Sequence, residues 1–472
     1  MLKNFINQEL TNNLGLKPTI GQRDLLEKIS SFIADPGLEE VFVIKGYAGT
    51  GKTTIVNTLV RTLSKLGRHS ILIAPTGRAA KVLTSYTGQA AYTIHKKIYR
   101  QKSGKDGLGN FVLDKNYHKN SFFIVDEASM IGDRGMGNNQ FGTGDLLGDL
   151  KEFVNQGKNC QLILIGDTAQ LPPVGLDISP ALNLANLQSL GFASKEVYLR
   201  DVVRQSADSG ILENATMLRQ KIEDGANDKP IFNTDDFSDI QRVSGVDLID
   251  EIENSYSKYG EDETIIISRS NKRANKFNQG VRNQILWREE EISMGDLLMI
   301  VKNNYFWVHP DENLDFIANG DIARIDRIHG YQSMHGYRYA DVSLSFPDYE
   351  KLTIEAKILI DTLSLDTAAL AIEKQKELFQ TILEDYADEK TKKDRVKKVI
   401  EDPFFNALQV KFAYAVTCHK AQGGQWKSVF IDPGFFREDM MDVEYMRWLY
   451  TAFTRATEKL YLVNFPDEWF GV

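Results

Sequence analysis

The sequence predicts an α/β protein of two parallel-sheet domains, the second interrupted by a small antiparallel β module that runs on into charged helices. Three observations lead there. From residue 40 the chain repeats a short β-rich apolar run, a polar or glycine-rich loop and a helical stretch. A second set of such runs follows later, and a complete G-x-x-x-x-G-K-T spans residues 46–53 directly after the first run. At 472 residues the chain is also too long for one ordinary core.

The first set of runs is Val41 to Ile44, Ile71 to Ala74, Phe122 to Val125 and Leu162 to Ile165, each followed at once by a loop. In a doubly wound sheet such loops lie at the carboxyl ends of strands, where ligands bind. The second set is Thr264 to Ser268, Ala413 to Val416, Val429 to Ile431 and Leu460 to Val463. Between them, residues 294–408 begin with alternating segments (Ile322 to Ile328, Tyr337 to Phe346, Leu352 to Ile360). Thr367 to Ile400 is then highly charged, with Ile372, Phe379, Ile382, Leu383 and Tyr386 at helical spacing, which predicts one or two exposed amphipathic helices. Gly132 to Gly144 is read as a loop.

Composition narrows the classes. With 42% hydrophobic and 26% charged residues the chain is globular. It has no apolar run near the ~20 residues of a membrane span. The start, MLKNFINQELTNN, lacks a basic region followed by an apolar stretch, so no signal peptide and a cytoplasmic location are expected. Cys160 and Cys418 show no metal or disulfide spacing and are read as structural. A net charge of −9 argues against nucleic acid, yet Arg78 to Lys119 carries nine Lys/Arg against two acids.

The P-loop is Gly46-Tyr47-Ala48-Gly49-Thr50-Gly51-Lys52-Thr53, followed by Thr54. Its backbone N–H groups would close around phosphates at a helix N-terminus, Lys52 would reach the β/γ phosphates, and Thr53 would ligate Mg²⁺. Asp126 ends the strand Phe122 to Val125 and would hold Mg²⁺ through water; Glu127 beside it would orient and deprotonate the attacking water. In Gly166-Asp167-Thr168-Ala169-Gln170-Leu171-Pro172-Pro173-Val174-Gly175, Gln170 could contact the γ-phosphate and the two prolines stiffen the loop. Gln22, upstream of the P-loop, is placed to meet the adenine edge.

With these motifs in order, the chain resembles the superfamily 1 helicases of class B, most closely the compact Dda-like phage helicases and the helicase part of RecD-like proteins. The matching pieces also include Ala74-Pro75-Thr76-Gly77-Arg78-Ala79-Ala80-Lys81, Thr93-Ile94-His95, Val203-Arg204-Gln205, Tyr414 to Gly423 (YAVTCHKAQG) and Tyr450 to Ala456 (YTAFTRA). The resemblance implies two RecA-like domains, 1A at 1–84 and 119–195 and 2A at 196–293 and 409–472, with ATP between them. It implies a β-hairpin pin at 85–118 and an SH3-like module with a helical extension at 294–408. Arg204 and Arg455 would neutralise charge on the γ-phosphoryl group, and Gly423 would line the nucleotide site.

On the DNA side the resemblance implies contacts from Pro75, Thr76, Gly77, Thr93 and His95 on the first domain and Thr417, His419 and Lys420 on the second. Hydroxyls and backbone amides can hold phosphates without reading sequence. Phe111 in the pin is expected against the terminal base pair, the alternative being that it packs the hairpin's own core. ATP and Mg²⁺ are the implied cofactors. The implied partners are single-stranded DNA, single/double-strand junctions and replication or recombination proteins, and the active form is expected to be a monomer. Direction, 5′ to 3′, comes from the class B resemblance. A translocase that does not unwind, and a nucleotide-switched binding module, remain open beside it.

Overall fold

The computed structural model describes the chain except residues 38, 103–109, 133–141, 203–208, 227, 309–315, 348, 350–351 and 472. The described chain divides into two compact units. One comprises Met1–Lys102, Asn110–Pro230 and Met441–Thr454; the other holds Ile231–Met440 and Arg455–Val472.

The first unit opens with helices α1 (Leu2–Leu14) and α2 (Ile20–Ala34). In α1, Ile6, Leu10 and Leu14 recur every four residues and form its buried face. Then come β1 (Glu40–Gly46), α3 (Lys52–Lys65), β2 (His69–Ala74), α4 (Gly77–Thr87), β3 (Ala91–Thr93) and α5 (Ile94–Ile98). The antiparallel pair β4 (Tyr99–Lys102) and β5 (Asn110–Leu113) follows, in the register Tyr99 opposite Leu113. β6 (Ser121–Val125), α6 (Leu146–Gln156), β7 (Gln161–Gly166), α7 (Leu184–Ser189), β8 (Ala193–Leu199) and α8 (Gly210–Asp224) complete the run.

Six strands form one parallel sheet in the order β3-β2-β6-β7-β1-β8. All four runs expected from sequence are strands of it. The two the sequence did not reveal, β3 and β8, lie at the edges: β3 has three residues and β8 reads ASKEVYL, so neither offers an apolar run. The core cluster joins α1 and α2 (Leu10, Leu25, Ile29) to α3 (Ile55, Leu59, Leu63) and to the strands (Phe42, Ile124, Ile163). Truncating a fully buried leucine there, such as Leu59→Ala, costs ~2–5 kcal/mol.

In the second unit β9 (Ile240–Val243), α9 (Leu248–Tyr259), β10 (Thr264–Ser268) and α10 (Asn271–Gly280) lead to a closed barrel of β11 (Leu297–Ile300), β12 (Ile322–Met334), β13 (Tyr337–Ser345), β14 (Thr353–Leu359) and β15 (Leu408–Phe412). The three alternating segments are therefore the middle of a five-stranded barrel. β11 (LLMI) and β15 (LQVKF), both buried at every position, close it. α11 (Ile372–Asp385) and α12 (Lys392–Ile400) occupy the charged stretch and pack Leu378, Ile382 and Val399 against Tyr337 and Phe404.

After β16 (Ala415–Thr417), α13 (Cys418–Ala421) and β17 (Trp426–Asp432) comes α14 (Val443–Phe453), then β18 (Ala456–Val463). The second sheet is parallel, in the order β16-β10-β17-β18-β9. Met441–Thr454, expected in the second domain with the rest of 409–472, counts with the first unit. Its helix α14 packs on α8 and hydrogen-bonds the loop after β7. Among the described residues no helix is long and apolar enough to cross a membrane.

Candidate nucleotide-binding site

β6, β7 and β1 are neighbours in the first sheet, so the loops that leave their carboxyl ends share one edge. The P-loop follows β1, Asp126-Glu127 follows β6, and Asp167 to Gln170 follows β7. These three motifs lie far apart in sequence, and the strand order alone makes them one site, at the kind of sheet edge where doubly wound folds hold ligands.

The P-loop is tightly made. A Cβ on Gly46 would stand 2.9 Å from Thr50 Oγ1 and 3.2 Å from Leu199 Cβ, so only glycine fits. Gly49 has φ +76, and a Cβ there would stand 2.9 Å from Leu212 Cδ1 of α8. Thr50, fully buried, donates its hydroxyl to Tyr47 O at 2.8 Å. Lys52 opens α3 and donates from Nζ to Gly46 O (2.7 Å) and Tyr47 O (2.9 Å), with Asp167 Oδ2 at 3.7 Å. Thr53 and Thr54 are exposed in the first turn of α3. Gln22 is buried and engaged at both ends. Its Oε1 accepts Thr19 N in a capping box that starts α2, and its Nε2 donates to Thr50 O at 3.2 Å. Gln22 therefore braces the P-loop from behind, and an adenine contact would exchange one of those bonds.

Asp126 accepts Glu127 N on Oδ1 (2.9 Å) and the Tyr86 hydroxyl on Oδ2 (2.6 Å). Glu127 sits in the left-handed region at φ +53, a conformation that costs a non-glycine residue of order 1 kcal/mol and is found at functional positions. Asp167, fully buried, accepts Ala169 N on Oδ1 and the Tyr450 hydroxyl on Oδ2 at 2.8 Å. Gln170 is buried, and its Oε1 has no hydrogen-bond partner among the described residues. A buried amide in that state calls for a further polar group, as a phosphate or its attacking water would supply.

α14 braces these loops. The Tyr450 hydroxyl donates to Asp167 and accepts Ala48 N at 2.8 Å, so one phenol ties the P-loop to the loop after β7. Burial beside the Asp167 charge pushes its pKa far up, and it remains a donor. Thr451 Oγ1 accepts Leu171 N (2.8 Å), and Arg447 donates to Thr168 O (2.8 Å) and Gln170 O (3.3 Å). From α8, Glu223 accepts the Tyr47 hydroxyl and Arg219 lies 4.7 Å over the Tyr47 ring. Sequence reasoning gave no role to Tyr86, Arg447, Tyr450, Thr451 or Arg219. Tyr450 and Thr451 at least fall inside a recognised motif; nothing in the sequence points to the others.

The residues fit a nucleotide with its metal. The glycine cradle leaves room only for backbone, the buried Gln170 oxygen is unsatisfied among the described residues, and Thr53 and Asp126 are the oxygen donors a hard cation takes.

Of the expected DNA contacts in the first unit, Thr76 and Thr93 are helix N-caps. Thr76 Oγ1 accepts Ala79 N (3.2 Å) to start α4, and Thr93 Oγ1 accepts Lys96 N (3.1 Å) to start α5. Pro75 and Gly77 flank Thr76 at the same turn. Burial pushes the His95 imidazole down to about 4, so it is neutral, and its ring lies 5.8 Å from that of Tyr99. Phe111 is 9% exposed. A ring covered to that degree suits the alternative of packing within the protein.

In the second unit, Thr417 ends β16, His419 is exposed on α13, and Gly423 lies just past that helix. Lys420 donates to Asn319 Oδ1 at 2.5 Å, and burial pushes its pKa down to about 8. Arg455 is 2% exposed and donates to Gly424 O at 3.2 Å. Cys418 is buried with its thiol pushed up to about 12, while Cys160 is only partly covered; the two do not form a disulfide. Arg204, the other expected γ-phosphate arginine, lies outside the described residues, as do residues 133–141 of the loop expected at 132–144.

A parallel sheet bearing a P-loop, a strand-end Asp-Glu and a buried glutamine, followed by a second parallel sheet, defines a P-loop protein with two parallel-sheet domains. Family models agree: residues 21–243 match the AAA domain and residues 412–463 the UvrD-like helicase C-terminal domain. The chain is 23% identical over 461 residues to the ATP-dependent RecD2 DNA helicase of Deinococcus radiodurans, which covers 96% of this chain and 51% of that protein. It is 26% identical over 269 residues to the ATP-dependent DNA helicase dda of Enterobacteria phage T4, covering 54% of this chain and 55% of that one. The chain thus spans about half the length of these two relatives. Among solved structures, a Bacteroides Pif1 helicase in complex with ADP-AlF3 and ssDNA aligns at TM-score 0.48 and 15% identity, over 96% of this chain and 94% of that one. The motif series and the two family matches agree with the resemblance to the Dda-like and RecD-like members of superfamily 1, class B.

Proposed function

We propose that this protein is an ATP-dependent DNA helicase that translocates 5′ to 3′ on single-stranded DNA and opens duplex ahead of it. The observation that carries the reading is the convergence of Lys52, Asp126-Glu127 and Gln170 on one edge of the first sheet, an arrangement suited to hydrolysis. Lys52 would exchange its bonds to Gly46 O and Tyr47 O for phosphate oxygens. Glu127, its backbone fixed by the Asp126 carboxylate, would take the proton of the attacking water. Thr53 and Asp126 would hold Mg²⁺, which supplies charge neutralisation on the phosphates. Gln170 would orient water or γ-phosphate, and Arg204 and Arg455 would neutralise the transferring group, an effect worth ~10³–10⁵ in rate where arginine fingers act.

The DNA strand would be held by Pro75, Thr76, Gly77, Thr93 and His95 on the first unit and by Thr417, His419 and Lys420 on the second. A neutral His95 suits a stacking or hydrogen-bonding contact more than a phosphate ion pair. The test is strand displacement from matched duplexes bearing a 5′ or a 3′ single-stranded tail, with ATP, Mg²⁺ and Lys52→Ala as control. Release only from the 5′-tailed duplex, lost in the control, is expected. DNA-stimulated hydrolysis without release would make the protein a translocase, and hydrolysis indifferent to DNA would overturn the reading.

A further inference from the structure

We propose that Tyr86 is a positioning residue that couples the DNA grip at Pro75–Gly77 to the hydrolytic pair Asp126-Glu127. The inference rests on the function proposed above and adds a route by which DNA would stimulate hydrolysis. The grip lies in the turn between β2 and α4, and both elements flanking that turn bond the same residue. From the strand side, Ile73 O accepts the Asp126 N–H at 3.0 Å; from the helix side, the Tyr86 hydroxyl donates to Asp126 Oδ2 at 2.6 Å. Asp126 is thus tied on either side of the grip, once by backbone and once by side chain.

α4 is built to transmit a displacement. It begins at the Thr76 cap and buries Ala79, Ala80 and Leu83. Its last turn is pinned where Ala91 N donates to Thr84 Oγ1 (3.0 Å) and Gln89 Nε2 to Ser70 O (2.6 Å). Ten residues of helix separate Thr76 from Tyr86, ~15 Å of rod, and helical side chains lean toward the N-terminus, which returns the Tyr86 ring toward the carboxyl edge of the sheet. Facing a carboxylate oxygen, which can only accept, the phenol is the donor of this bond.

The other oxygen of that carboxylate accepts Glu127 N at 2.9 Å, the N–H of a residue held at φ +53. The rotamer of Asp126 therefore helps set the backbone of Glu127. A small shift of α4 on binding DNA would turn the carboxylate through Tyr86 and with it adjust both a metal-holding oxygen and the base. Partners of this kind, one bond removed from the metal, typically alter metal affinity or activity by about 10–100-fold.

Tyr86→Phe keeps the ring and removes the donor. In wild type, single-stranded DNA should raise hydrolysis and shift the Mg²⁺ midpoint for binding a fluorescent non-hydrolysable ATP analogue. In the variant the ratio of DNA-stimulated to DNA-free hydrolysis should fall by about tenfold or more, and the Mg²⁺ shift should vanish. An unchanged ratio with an unchanged shift overturns the coupling while leaving the helicase reading intact. A wild type indifferent to DNA overturns that reading and the coupling with it. As a measurement independent of the variant's folding, the ¹⁹F resonance of 3-fluorotyrosine at position 86 should move when oligo-dT is added without nucleotide; a resonance that stays in place counts against the coupling.

Discussion

In the first unit the turn from β1 into α3 holds Gly46, Gly49 and Gly51 and gives the helix no side-chain cap; in the second the turn from β10 into α10 is Arg269-Ser270, where Ser270 Oγ accepts Arg273 N at 3.2 Å. Both turns join a buried parallel strand to a helix. The glycine turn leaves the first helix N–H groups to an anion, whereas the serine turn satisfies one internally. The same architecture is a phosphate cradle in one unit and an ordinary capped corner in the other, so the chemistry lies in a few turn residues rather than in the sheet.

The units also differ in how they treat buried charge. In the first, Asp126, Asp167 and Lys52 meet at the sheet edge, where a ligand can compete for them. In the second, Asp296 is fully buried and satisfied by protein alone: Arg282 and Arg288 each approach within 3.1 Å, Ser293 N donates at 2.7 Å and the Tyr414 hydroxyl at 3.0 Å. One arrangement is a site and the other a structural lock.

This contrast can be broken in order of effect. Glu127→Gln should lower the kcat of ATP hydrolysis by ~10²–10⁴ while nucleotide binding and the melting curve persist, as measured by steady-state assay and fluorescence titration. Asp296→Ala should do the reverse, leaving the buried Arg282 without its carboxylate and costing ~3–5 kcal/mol in chemical denaturation of the second unit. Tyr450→Phe strips Ala48 N and Asp167 Oδ2 of a partner and should cost ~1–3 kcal/mol, seen as a lower denaturation midpoint, together with weaker ATP binding.

The smallest effect is a pH dependence. Because burial lowers the His95 pKa to about 4 from 6.5, the unfolded chain binds the proton more readily. The stability contributed by neutral His95 is complete above about 6.5 and lost as pH falls toward 4. Denaturation midpoints of His95→Asn should fall less steeply than wild type across that window.

The sequence made the candidate nucleotide site legible because its chemistry is local. A strand, a glycine turn and a helix with Lys52 and Thr53 are contiguous, and Asp126-Glu127 and Gln170 each follow their own apolar run. Edge strands β3 and β8 stayed hidden because a half-exposed strand needs no apolar run. β11 stayed hidden because burial on both faces erases the alternation that marked β12 to β14. The burial of Phe111 was likewise beyond reach, since one aromatic in a hairpin reads alike whichever way its ring points.

By itself the sequence determined which residues could hold a nucleotide and that two parallel sheets would carry them, because turn chemistry and apolar periodicity act over a few residues. Tertiary structure alone decided that β6, β7 and β1 are neighbours and that α14 ties the P-loop to Asp167 through Tyr450. It also put Tyr86 against Asp126, 40 positions along the chain. Those contacts join residues far apart in the chain, and only the packing of the sheet and its helices sets which of them meet.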